Sequence, residues 1–69
     1  MKIKNLLKKN IKWKNHPDKK VRRFFYCEIE GRLILLRMNN FPDEVLYTVI
    51  NGLEIIDIED KPENWELEK

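Results

Sequence analysis

Sixty-nine residues with a net charge of +2 and 38% charged side chains describe one small domain, spanning 1–69, with room for a single modest core. A lone Cys27 and a lone His16 exclude an intrachain disulfide, a CxxC redox pair and a Cys/His zinc site within one chain. A chain this short buries only about 60% of its unfolded surface, and small folds without such staples commonly rely on a partner subunit, so self-association is one expectation.

The longest apolar run, Leu33 to Leu36, falls far short of the roughly 20 residues that a membrane span needs. The N-terminus has charge but no apolar core of a secretory leader. With one unpaired cysteine and many Lys and Glu, the expected location is the reducing cytoplasm. Ala, Ser and Gln are missing while Lys, Ile and Asn abound, which reads as the coding bias of an AT-rich bacterial or phage genome. Such bias weakens any argument from lysine number alone.

Along the chain, Ile3, Leu6, Leu7 and Ile11 form one apolar stripe of a short helix over 3–11. "IKWK" competes with it, because Ile11 and Trp13 alternate with Lys12 and Lys14 as in a strand. Both hold if a short helix leads into a strand. "NHPDKK" is a turn, with Pro17 presetting φ and Asp18 able to bond nearby backbone.

"VRRFFYCEIE" and "RLILLRM" flank Glu30-Gly31 and predict a hairpin. Pairing Ile29 with Arg32 sets Cys27 opposite Ile34 and Phe25 opposite Leu36, so this face is core. Cys27 is then a buried small hydrophobe, not a nucleophile. The other face carries Arg22, Phe24, Tyr26, Glu28, Leu33, Leu35 and Arg37. Either the Ile3/Leu6/Leu7 stripe or Trp65 covers that face, or it stays open as a contact surface; the covered state is the expectation.

"NNFPDE" is a loop, and "VLYTVI" and "LEIIDIE" surround Asn51-Gly52, a strong type I′ hairpin signal. Pairing Ile50 with Leu53 would set Tyr47 opposite Ile56 and Val45 opposite Ile58. The tail "DKPENWELEK" reads as irregular, with Trp65 and Leu67 folding back as a lid. The predicted fold is mainly β, or α+β if the helix forms. It is a small antiparallel four- to five-stranded meander with a short N-terminal helix. Its parts are a basic helix/turn flank (1–20), two β-hairpins (21–58) and an acidic tail (59–69).

Charge divides along the chain. Residues 1–23 hold eight Lys and two Arg against Asp18, a net +9, and residues 24–69 hold four cations against eleven acids, a net −7. If the basic flank lies across the acidic tail, the two neutralise one another. If it is free, Lys8, Lys9, Lys12, Trp13, Lys14, Lys19, Lys20, Arg22 and Arg23 are candidate nucleic-acid contacts, lysines for phosphate and the indole for stacking. A membrane-surface helix is disfavoured, because four aliphatics make too small an apolar face. Crowded carboxylates in the tail offer a weaker option, mimicry of nucleic-acid phosphates.

The chain has no serine, and its acid pairs Asp43-Glu44 and Glu59-Asp60 are adjacent in sequence rather than set across a cleft. "DIEDKPE" places Asp57, Glu59 and Asp60 near one another but lacks the spacing of a calcium loop. The expectation is therefore a non-catalytic protein without cofactor, metal or small-molecule substrate. Its leading role is a protein-interaction module of the inhibitor or immunity-accessory kind, with Phe24, Tyr26, Leu35 and Arg37 at the interface. The alternative is a nucleic-acid binder using the basic segment.

Overall fold

The computed structural model describes residues 2–18, 20 and 23–68. Seven elements follow one another: α1 (Ile3–Leu6), β1 (Ile11–Asn15), β2 (Phe24–Ile29), β3 (Arg32–Met38), β4 (Tyr47–Asn51), β5 (Glu54–Ile58) and β6 (Trp65–Leu67). The strands form one curled six-stranded sheet in the order β5-β4-β3-β2-β1-β6. All pairings are antiparallel except β1 with β6, which is parallel.

The mainly β class holds, with the expected fifth strand and one strand beyond it. The strand suggested at Ile11 forms, since Ile11 and Trp13 are buried while Lys12 and Lys14 are exposed. The tail is not an irregular lid: Trp65–Leu67 is a strand in register with β1, pairing Ile11 with Trp65, Lys12 with Glu66 and Trp13 with Leu67. The basic segment thus does lie along the acidic tail.

The helix is shorter than its stripe predicts. Four residues are too few to hold a helix by themselves, and distant groups hold both ends. At the N-terminus, Ile3 N–H donates to Glu54 Oε1 at 2.7 Å. At the C-terminal side, the Trp65 indole donates to Leu6 O at 3.0 Å and Asn64 Nδ2 to Lys9 O at 2.7 Å. Ile11 N–H then donates to Asn64 O, which turns the chain out of the helix and into β1.

The first hairpin has the predicted register, with Phe25 opposite Leu36, Cys27 opposite Ile34 and Ile29 opposite Arg32. Glu30 and Gly31 both have positive φ, 53° and 75°, as a type I′ turn requires. The second hairpin differs: Asn51 pairs with Glu54, Val49 with Ile56 and Tyr47 with Ile58, so Gly52-Leu53 is the turn. Only Gly52 has positive φ there, at the first central position, as in a type II′ turn. This register sets Thr48 opposite Asp57, where the hydroxyl donates to Asp57 Oδ1 at 2.7 Å. The predicted register would have set Thr48 against Ile55. The shift is even, so no side chain changes face.

Ile3, Leu6, Ile11, Trp13, Phe25, Cys27, Ile34, Leu36, Val49 and Trp65 form the core. Trp13 and Trp65 meet edge to face, centroids 5.1 Å apart at 64°. Burial pushes the Cys27 thiol from 9.0 up to about 11, as expected for a thiol packed among hydrophobes. This core corrects one expectation. Ile3, Leu6 and Trp65 cover the Phe25/Leu36 face, and the Phe24/Leu35 face keeps no such cover.

Candidate interaction surface

Strand alternation places every even-numbered residue of β2 on the face away from α1, and register aligns them with their neighbours. Phe24 pairs with Arg37 and Tyr26 with Leu35, so the four candidates from the sequence are two adjacent cross-strand pairs. The row continues from Leu35 to Ile50 and from Ile50 to Ile55, which gives Tyr26–Leu35–Ile50–Ile55 across four strands. Leu33 sits one row further along, opposite Glu28.

A solvated face of an antiparallel sheet usually alternates to polar residues. Here it carries six apolar side chains instead. Phe24, Tyr26, Leu35 and Ile50 are half-buried by one another and their neighbours, while Leu33 is 59% and Ile55 64% exposed. Charges of both signs flank them. Lys14 pairs with Tyr26, Arg37 stands half-buried beside Phe24, and Asp57 ends the row Phe24–Arg37–Thr48–Asp57. Sequence reasoning missed Ile50 and Ile55, because both faces of the second hairpin are apolar and nothing local says which is covered. Ile50 shares the face of Thr48, two residues away, and Ile55 joins it by pairing with Ile50.

The basic candidates scatter. Lys8 and Lys9 follow α1, Lys12 and Lys14 project from β1, and Lys20 and Arg23 flank the β1–β2 turn; all six are exposed. Lys19 and Arg22 lie outside the described residues. Trp13 is fully buried in the core, so its indole is not available to stack on a base. Carboxylates interrupt the lysines of β1. Glu66 pairs with Lys12, and Glu68 lies beside Lys14, with its N–H donating to Trp13 O and its Oε2 accepting Asn15 N–H at 3.1 Å.

The two acid pairs, separate in sequence, meet at one open cleft of about 590 Å³, lined also by Phe41 and Leu46. Two of its acids are used locally: Glu44 Oε1 accepts Asn40 N–H and Asp60 Oδ1 accepts Lys61 N–H. Among the described residues no group of three His, Cys, Asp or Glu is placed to hold a metal ion. His16 Nδ1 accepts Asp18 N–H within its own turn, while Cys27 is in the core. No helix among the described residues is long and apolar enough to cross a membrane.

Comparison with protein-family models, with curated proteins and with solved structures returns no match.

Proposed function

We propose that this chain is a non-catalytic protein-interaction module of the inhibitor or immunity-accessory kind, and that it binds its partner through the open face of the sheet. One observation carries the reading: Phe24, Tyr26, Leu33, Leu35, Ile50 and Ile55 share a face that neither the helix nor the tail covers. Contiguous apolar surface rimmed by charge is what protein interfaces present, and aromatic residues with Arg dominate their energetics. Tyr26, Phe24 and Arg37 are the anchors in this reading.

Nucleic-acid binding by the basic segment is the competing role. It is weakened by the burial of Trp13 and by Glu66 and Glu68 among the β1 lysines. The test compares three variants as bait in nuclease-treated extract of the source cells, each checked by circular dichroism. Leu35→Lys and Tyr26→Lys should lose the specific partner, whereas Lys8→Gln/Lys9→Gln should keep it. Capture lost only in the lysine variant, together with nucleic-acid affinity whose log–log salt slope is about −0.7 per phosphate on single strands, would reverse the assignment.

A further inference from the structure

The sheet has two edges, and they are guarded unequally. β6 is three residues long, follows Pro62, carries Glu66 and is flanked by Glu63 and Glu68. Short length, proline and charge are the devices that keep an edge from pairing with another chain. β5, at the other edge, has five residues without Lys or Pro, and its outer side pairs with no strand among the described residues. Ile55 is 64% exposed, Ile56 is 37% exposed, and Leu53 at the hairpin tip is fully exposed.

We propose that β5 pairs antiparallel with β5 of a second copy of this chain, about a twofold axis through Ile55. The β5 sequence is complementary to itself in that register. Ile55 faces Ile55, Glu54 faces Ile56 and Leu53 faces Asp57, so no carboxylate stands opposite another. A register centred on Asp57 would set two aspartates against each other. Both strand carboxylates are, moreover, held by their own chain: Glu54 Oε1 accepts Ile3 N–H and Asp57 Oδ1 accepts the Thr48 hydroxyl, each at 2.7 Å.

On the open face this pairing carries the row Tyr26–Leu35–Ile50–Ile55 into the same row of the copy. The twofold contact uses one patch on both partners and closes at the dimer, rather than growing into a filament. In this register the Glu54 side chains of the two copies stand diagonally on one face, about 7–8 Å apart, and bring like charge to the joint. Salt screens that repulsion, so added salt strengthens the dimer. An association driven by the basic and acidic segments would weaken instead.

The inference does not rest on the open-face reading, and the two fail separately. Sedimentation equilibrium at high micromolar concentration should give a dimer that tightens with salt. Ile55→Lys should give a monomer with an unchanged far-UV spectrum, while Leu35→Lys should leave the dimer intact. Directly opposed residues in a strand pair have Cβ atoms about 4.5–5.5 Å apart, within small movement of disulfide geometry. Ile55→Cys should therefore cross-link under mild oxidation, against a silent background because Cys27 is buried, and Lys12→Cys should not. A monomer at every concentration and salt overturns the proposal, as does a dimer that Ile55→Cys fails to trap.

Discussion

The two indoles of the core differ in one respect that a pair of matched substitutions can isolate. Both rings are essentially fully buried and they pack on each other. The Trp65 N–H donates to Leu6 O at 3.0 Å, whereas the Trp13 N–H is buried and meets no acceptor among the described residues. Trp65→Phe and Trp13→Phe remove similar ring volume, so that loss cancels in the comparison. What remains is one hydrogen bond, worth about 0.5–1.5 kcal/mol, since Leu6 O still accepts the Lys9 N–H when the indole is gone. Trp65→Phe should be the more damaging by about 0.5–1.5 kcal/mol. A chain this size has roughly 3–10 kcal/mol in total, so the difference is large. With a urea slope near 1 kcal/mol/M, the midpoints should differ by about 0.5–1.5 M. Far-UV circular dichroism reads both variants. Equal midpoints, or a worse Trp13→Phe, would refute the reasoning that the tail strand holds the helix through this bond.

Two further outcomes follow from single residues. Cys27 ionises less readily in the fold than its ordinary 9.0, at about 11, so its contribution is complete below pH 9 and lost as pH rises through 11. Wild-type stability should fall by up to about 1.4 kcal/mol per pH unit across that window relative to Cys27→Val, and parallel pH curves would contradict the buried thiol. Glu30 holds φ 53° without being glycine, so Glu30→Asn should raise stability by about 0.5–1 kcal/mol and Tm by several degrees; an unchanged or lower Tm would argue against the type I′ turn.

How far the sequence carried the structure depended on whether the deciding interaction was local. The first hairpin was legible throughout, because Glu30-Gly31 sits between two alternating runs that agree on one register. The Phe24/Tyr26/Leu35/Arg37 cluster was legible for the same reason. The second hairpin was legible as a hairpin, but neither its core face nor its register was. Asn51-Gly52 is a good local turn, yet the pairing of Thr48 with Asp57 and of Ile50 with Ile55 favours the turn one residue later. "WEL" is too short to show any period, so β6 could not be read. Nor could the choice of face for the helix. The Ile3/Leu6 stripe would suit either side of the sheet, and bonds to Glu54 and Trp65, more than fifty residues away, decide it.

The open face is the centre of this account, and site-specific photo-cross-linking in the source cells tests it most directly. A photoreactive phenylalanine at Tyr26 should trap one discrete protein, and the same group at Lys4, exposed on the helix, should trap none. No protein adduct from Tyr26, with nucleic-acid adducts from Lys14 instead, would contradict the account and return function to the basic segment.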